Sequence, residues 1–182
     1  MDQVHAGKLR GLTLLEVLIA GAVFSAMMLA VLAIYKTALE ARVKEDAGTA
    51  TYRAAMLGME HVQSQLRGSQ LVEPSDPAAP PSMQAVYRCS QKENGRVKVD
   101  AAGLPVWGET ATIRMDASGN LVREDTSGIR VLAHLGPGGS VSFHLLDPRL
   151  LEVRILAART NPSTLAVTRS QAECRLTLPN QP

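Results

Sequence analysis

The sequence is poor in the residues and motifs that carry chemistry. Its two cysteines form no Cys-x-x-Cys pair, so neither dithiol redox catalysis nor a cysteine-based zinc site is indicated. It also has no HxxxH or HExxH, no GxSxG and no phosphate-binding loop. The formal net charge of +2 makes no case for nucleic-acid binding. We therefore predict that the chain is not an enzyme, uses no cofactor and has no small-molecule substrate.

The four histidines do not form a metal-binding pattern. His5 precedes the first apolar run, His61 falls in a helical stretch, and His134 and His144 fall in predicted strands. We interpret them as structural residues. The only adjacent acidic pair in the β-rich part is Glu124-Asp125, which leaves a structural calcium site there as an alternative.

One long apolar run, 12–35, contains no proline, lysine or arginine and a single acid, Glu16. At ~1.5 Å per residue a helix of this length spans roughly 36 Å, enough to cross a bilayer core of about 30 Å. A carboxylate at the edge of a membrane span costs a few kcal/mol, which suggests a function. Lys8 and Arg10 precede the run and favour a cytoplasmic N-terminus.

Two ordinary explanations of this stretch fit less well. A secretory signal has a shorter apolar region, of about 7–15 residues, with its cleavage site after it. A plain signal anchor explains the length and the basic residues, but it does not explain an acid five residues after Gly11. The sequence therefore favours a processing signal that consists of the basic leader, Gly11 and Glu16 together.

The residues Gly11-Leu12-Thr13-Leu14-Leu15-Glu16 resemble the processing site of type IV prepilins and type II secretion pseudopilins. The resemblance implies that a prepilin peptidase cuts after Gly11 and N-methylates Leu12. It also implies that Glu16 neutralises the terminal amine of a neighbouring subunit, since buried charges are costly unless paired. The family more often has phenylalanine in place of Leu12 and a proline within the apolar run, so we expect a straighter helix here.

We predict four segments: a leader at 1–11, a transmembrane and assembly helix at 12–35, its amphipathic continuation at 36–70, and a globular β-rich domain at 71–182. Gly68 is expected to cap the helix, and the four prolines of 73–83 exclude a helix or a central strand there. Two apolar stripes mark the second half of the helix. The first is Leu39, Val43, Ala47, Ala50, Ala54 and Leu57, and the second is Ala55, Met56, Met59, Val62 and Leu66.

Short alternating runs follow, with turns expected at 116–119 and at Asn161-Pro162-Ser163. The predicted strands are 86–90, 96–99, 110–115, 120–125, 129–135, 140–146, 150–158, 164–168 and 174–178. The predicted core includes Val86, Trp107, Ile113, Leu121, Val131, Leu132, Phe143, Val153, Ile155 and Val167.

The expected fold class is α+β, with a long N-terminal helix packed on a mostly antiparallel sheet, as in the lollipop-shaped pilins. An exported domain allows a disulfide between Cys89 and Cys174, and the alternative is two buried free thiols. The β-rich part is similar in pattern to J-type pseudopilins and W-type minor pilins.

The function expected from the resemblance is that of a minor pilin or pseudopilin in a type IV pilus or type II secretion pseudopilus. Its partners would be the prepilin peptidase, other minor subunits and the major subunit. Its location would be the bacterial inner membrane, with the β domain outside, and then the fibre. K-type tip subunits of the family typically lack the glutamate that matches Glu16, so the resemblance implies a position below a tip. The alternative is a single-pass anchored protein whose β domain captures DNA or another ligand.

Overall fold

The computed structural model describes residues 13–93, 96–161 and 165–180. One helix, α1, spans Leu14–Leu66, and ten strands follow it in the described residues. The strands are β1 (Gln70–Glu73), β2 (Gln84–Ser90), β3 (Lys92–Glu93), β4 (Arg96–Val97), β5 (Trp107–Met115), β6 (Asn120–Asp125), β7 (Gly128–His134), β8 (Ser140–Asp147), β9 (Leu150–Thr160) and β10 (Val167–Thr177).

The strands form three antiparallel sheets. A five-stranded sheet has the order β1-β2-β5-β6-β7, a three-stranded sheet has the order β10-β9-β8, and β3 and β4 form a small hairpin. Each strand pairing within them is antiparallel. The predicted α+β fold, a long helix packed on a mostly antiparallel β domain, is confirmed.

The chain divides into two compact units, Met1–Val43 and Lys44–Pro182. Every described residue of the first unit, from Thr13 to Val43, is exposed. This unit therefore has no core of its own, and its apolar side chains face outward all around the helix. Its length and composition alone make this part of α1 a candidate membrane span.

In the second unit, α1 buries one face against the sheets. The buried residues repeat every three to four positions, which places them on one side of a helix: Thr51, Ala55, Gly58, Met59, Val62 and Leu66. At Gly58 the helix approaches closely, because an added Cβ would lie 3.5 Å from side-chain atoms of Leu121, Ala133 and Ile155. The hydroxyls of Thr51 and Ser170 lie 2.9 Å apart and join α1 to β10.

Of the two predicted helix stripes, the second is the buried one. Met56, which was assigned to it, is nonetheless 46 % exposed, and Leu57 of the other stripe is 53 % exposed. The helix ends as predicted: Gly68 has φ +82°, and the Ser69 N–H donates to the Leu66 carbonyl at 3.1 Å. The left-handed conformation at this position is one that glycine adopts without strain.

Most strand predictions are confirmed, and the hairpin at 116–119 is among them. There the Asp116 carboxylate accepts the N–H groups of Ser118 and Asn120, each at 2.8 Å. Strands β1 and β3 were not predicted. The prediction of two separate strands at 164–168 and 174–178 is wrong, because one continuous strand, β10, pairs with β9 from Val167 to Thr177. Residues 162–164, with most of the predicted second turn, lie outside the described residues.

The core predictions divide by position in the sheet. Ile113, Leu121, Phe143, Val153 and Ile155 are buried as expected. Val86, Trp107 and Leu132 are half-buried. Two predictions are wrong, for Val131 (45 % exposed) and Val167 (51 % exposed). Both lie on edge strands, β7 and β10, where one neighbouring strand is missing.

Candidate functional site

The candidate site is the first turn of α1, where Thr13 and Glu16 bond to each other. The Thr13 backbone N–H donates to Oε2 of Glu16 at 2.9 Å, and the Thr13 hydroxyl donates to the same oxygen at 3.1 Å. The Glu16 N–H in turn donates to the Thr13 hydroxyl oxygen at 3.3 Å. This reciprocal arrangement is a capping box, with Thr13 as the N-cap and Glu16 as the third helical residue.

The capping box gives Glu16 a role within its own chain. It satisfies donors that the first turn leaves unpaired, and a carboxylate is favoured at the positive end of the helix dipole. Both bonds that Glu16 accepts go to Oε2, so among the described residues Oε1 has no hydrogen-bond partner. The carboxylate can therefore cap the helix and still accept a bond from an amine outside the chain.

Along the first unit, two side-chain hydroxyl groups bond to backbone carbonyl groups of the helix itself. The Ser25 hydroxyl donates to the Gly21 carbonyl at 2.8 Å, and the Thr37 hydroxyl donates to the Ala33 carbonyl at 3.0 Å. The hydrocarbon core of a membrane contains no water, so a polar side chain there must find its hydrogen-bond partner within the protein. The small residues Gly21, Ala22 and Ser25 leave a shallow groove beside Leu14 and Val17, where another helix could approach closely.

In the second unit, a polar network joins α1 to the five-stranded sheet. Oε1 of Gln65 accepts the Tyr87 hydroxyl at 3.1 Å and Nη1 of Arg123 at 2.9 Å. Arg123 also pairs with Asp125 at 2.9 Å. Burial raises the pKa of Tyr87 well above its ordinary value, so this tyrosine is a neutral donor. We assign the network to holding the helix on the sheet.

The histidines do not come together. His134 Nδ1 lies 2.6 Å from Oδ1 of Asn120, whose amide donates to Asp116 at 2.8 Å, so His134 is tied to the β5–β6 hairpin. His61 is exposed on α1, and His144 lies on β8 opposite Glu152. Within the ranges that the structure describes, no three residues of the types that bind metals lie close enough to hold an ion.

The acidic pair Glu124-Asp125 is engaged with arginines. Arg114 donates from Nε and Nη2 to Oε2 of Glu124 at 3.0 and 2.9 Å, and Arg123 pairs with Asp125. The alternation of a strand sends these two neighbouring carboxylates to opposite faces of the sheet. The calcium alternative raised from this pair therefore has no geometric support.

Both cysteines are free, so the predicted Cys89–Cys174 bridge is not present in this structure. They lie in different sheets, Cys89 on β2 and Cys174 on β10. The Cys174 thiol contacts Sδ of Met59 on α1 at 3.0 Å, and burial raises its pKa. Both cysteines are half-buried against the core, which corresponds to the free-thiol alternative.

The predicted processing residues, Gly11 and Leu12, lie outside the described residues, and the predicted assembly residue, Glu16, lies within them. Comparison of the chain with protein-family models, with curated proteins and with solved structures found no match. The resemblance to prepilins therefore depends on the motif at 11–16 and on the apolar run after it. The capping box was missed at the sequence level, although Thr-x-x-Glu before an apolar run is its known pattern.

Proposed function

We propose that this chain is a minor pilin or pseudopilin, a structural subunit that primes or caps assembly of a type IV pilus or type II secretion pseudopilus. The leader is cut after Gly11 by a prepilin peptidase, and Leu12 becomes the N-methylated first residue. The observation that carries the proposal is the exposed apolar part of the helix from Leu14 to Tyr35, which has Glu16 near its start as its single acid.

The described part of the chain leaves the apolar side chains of this helix exposed. Large apolar side chains such as Leu14 (83 % exposed), Phe24 (62 %) and Ile34 (70 %) stand in the open, and leaving them in water costs ~1.5–3 kcal/mol each. Lipid of the inner membrane supplies the cover before assembly, and helices of other minor subunits and the major subunit supply it in the fibre. An exposed apolar surface of this kind is expected of a subunit that transfers from the membrane into the fibre.

Glu16 supports the proposal because, within the part of the chain that the structure describes, Oε1 of its carboxylate has no hydrogen-bond partner. In the assembled fibre, Oε1 accepts the terminal amine of a neighbouring subunit, which neutralises two charges in a region of low dielectric. A subunit with this acid has a neighbour to pair with, so we place it below the tip. Its pattern of strands supports a J-type pseudopilin or W-type minor pilin.

Processing is tested by mass spectrometry of the full-length protein, co-expressed with a prepilin peptidase and extracted from membranes. We expect loss of 1–11 and one added methyl group on Leu12. Gly11→Leu should leave the leader attached, and Gly7→Leu, at the other leader glycine, should be processed normally. An intact N-terminus in the unmodified chain, or cleavage after the apolar run, would refute the proposal.

The two roles of Glu16 are separated by three variants scored for processing and for fibre incorporation. Glu16→Gln keeps a side chain that suits the capping box but removes the charge, so we expect processing without assembly. Thr13→Ala removes the N-cap and keeps the carboxylate, so assembly should continue. Glu16→Ala should match Glu16→Gln. If capping were the only role of Glu16, Glu16→Gln would assemble and Thr13→Ala would fail.

A second candidate is a single-pass anchored protein whose outer domain captures DNA or another ligand. It is favoured by a groove of about 350 Å³ in the second unit, a volume suited to a small ligand. Polar residues of its lining are Thr51, His134, Arg159 and Thr160, and the rest of the lining is apolar. Under this function, Glu16→Ala leaves ligand capture unchanged, and an Arg159→Ala variant abolishes it without affecting fibre incorporation.

A further inference from the structure

The open edges of the two larger sheets differ in how they are protected from pairing with another chain. An edge strand leaves N–H and C=O groups unpaired, and proteins shield such edges with charged side chains, short strands or proline. Among the described residues, β1 and β7 are the edges of the five-stranded sheet, and β10 and β8 those of the three-stranded sheet.

Three of these edges are shielded. Strand β1 has only four residues and is followed by Pro74. Strand β10 alternates inward residues with exposed ones that include Arg169, Glu173 and Arg175. Strand β8 has a partial partner, because Phe143 and Ser82 exchange two backbone hydrogen bonds at 2.8 Å.

Strand β7 is less protected, because its only charged side chain among the described residues, Arg130, lies between two exposed apolar ones. Its exposed side chains include Ile129 (63 %) and Val131 (45 %), which alternate along the strand and so share one face of the sheet. A bulge interrupts the pairing of β7 with β6 beyond Val131. The regular open stretch is therefore 128–131, which we call the β7 edge.

The β7 edge also carries an unneutralised charge. Arg130 pairs in register with Arg123 on β6, and like charges directly opposite each other are destabilising. Arg123 is neutralised by Asp125 at 2.9 Å. Across the described ranges, no acidic side chain lies within ion-pair distance of Arg130, which is exposed.

We propose that the β7 edge binds an extended segment of a partner protein as an added antiparallel strand. The residue opposite Arg130 in that strand is acidic, and the residues on both sides of it, opposite Ile129 and Val131, are apolar. The recognised motif is therefore apolar–acidic–apolar. Backbone hydrogen bonds supply the affinity of such a complex, and the alternating side chains supply its specificity.

A second copy of this chain is a poorer occupant of the same edge. Strand β7 reads GIRVLAH and contains no acid, so pairing of two β7 edges leaves Arg130 without a partner. In the register centred on this residue, the pairing places two arginines opposite each other. The inference depends on the sheet alone and holds whether or not the leader is cut.

The test uses the full-length protein in detergent micelles and hydrogen exchange read by mass spectrometry. The probe is a capped seven-residue peptide with glutamate at its centre, valine on both sides of it and threonine elsewhere. At millimolar peptide we expect slower exchange over 128–133 and no change over Val167–Thr177 of β10. Replacing the central glutamate by glutamine should weaken binding by up to about fivefold.

A charge exchange identifies Arg130 as the recognising group. Arg130→Glu should reject the glutamate peptide and bind one with lysine at its centre, whereas Arg169→Glu on β10 should change neither. The inference is overturned if exchange over 128–133 is unaffected, or if the glutamate and glutamine peptides bind equally, as they would if Arg130 only guards the edge. Dimerisation of the unmodified protein that Arg130→Glu abolishes would also overturn it, in favour of a second copy.

Discussion

The two parts of the chain, 13–43 and 44–180, use apolar residues for different purposes. In the first part every side chain is exposed, although this part is the most apolar stretch of the sequence. In the second part apolar residues alternate with polar ones and form a core of helix and sheets. The apolar side chains of the first part are thus left uncovered by the described residues, whereas those of the second part pack into a core that stabilises the fold.

The largest effect that tests this difference comes from the two phenylalanines, one in each part. Phe143 is fully buried, so Phe143→Ala should lower the free energy of unfolding by about 3–5 kcal/mol. Phe24 is 62 % exposed, so Phe24→Ala should change it by less than ~0.5 kcal/mol. Denaturant unfolding of the full chain in micelles, followed by fluorescence of the single tryptophan, Trp107, measures both. Equal losses of unfolding free energy in the two variants would contradict the difference between the two parts.

Glycines sharpen the comparison with a smaller effect. Gly119 has φ +80°, and an added Cβ would overlap the Gly136 carbonyl group. Gly119→Ala should therefore cost more than ~2 kcal/mol of unfolding free energy. Gly103 has a similar φ of +79° but open space around it, so Gly103→Ala should cost only about 1 kcal/mol.

The glycine of the first part should respond differently. An added Cβ at Gly21 meets nothing within 4 Å, so Gly21→Ala should leave the free energy of unfolding of the second part unchanged. If helices of neighbouring subunits approach at this groove, the same substitution should reduce fibre incorporation. A loss of domain stability in Gly21→Ala would show that the two parts are energetically coupled.

The Gln65 network is expected to have an effect of intermediate size. Gln65→Leu leaves the buried Tyr87 hydroxyl without its acceptor, which should cost about 1–3 kcal/mol of unfolding free energy. Adding Tyr87→Phe to that variant should recover part of the loss, because the unpaired hydroxyl is then absent. Ser25→Ala is the control in the first part, and its expected change is below ~0.5 kcal/mol. A double-mutant cycle that shows no coupling energy between Gln65 and Tyr87 would show that their hydrogen bond does not contribute to stability.

The smallest expected effect is a dependence on pH that arises in the second part. Hydrogen bonds from Asn120, with a further one from Ser118, hold the pKa of Asp116 below its ordinary value of 3.8. A lowered folded-state pKa contributes stability above the ordinary value, and this stability is lost as the pH falls through the folded-state pKa. Urea midpoints should therefore fall below about pH 4, and the fall should be smaller in Asp116→Asn. An identical pH profile in that variant would exclude Asp116 as the source.

Much of the fold could be predicted because local patterns matched the final environment. The alternation within 110–115, Gly68 after the end of α1 and the turn at 116–119 each specify a local conformation that is present in the folded sheets and helix. Errors occurred where burial depends on neighbours distant in sequence. Val131 and Val167 lie in sequence patterns typical of strands. Their strands, however, are at the edges of the sheets, so a second neighbouring strand that would cover these side chains is missing.

The candidate site shows the same limit. The motif at 11–16 identified Glu16, and the Thr-x-x-Glu spacing contained the capping box as well. No local pattern identifies Gln65 as the acceptor for Tyr87 and Arg123, because these residues meet only when α1 packs on the sheet. The same holds for Arg130, whose lack of an acidic neighbour follows from strand order.

The sequence by itself determined a long apolar helix with one acid near its start, since these features depend only on residues close together along the chain. It also determined most strand positions and the turn at 116–119. Only the tertiary structure decided which helix face is buried, that Cys89 and Cys174 lie in separate sheets, and that β7 is an open edge. Those outcomes depend on strand order and on helix packing, which are set by the summed free energy of contacts between residues far apart in the sequence.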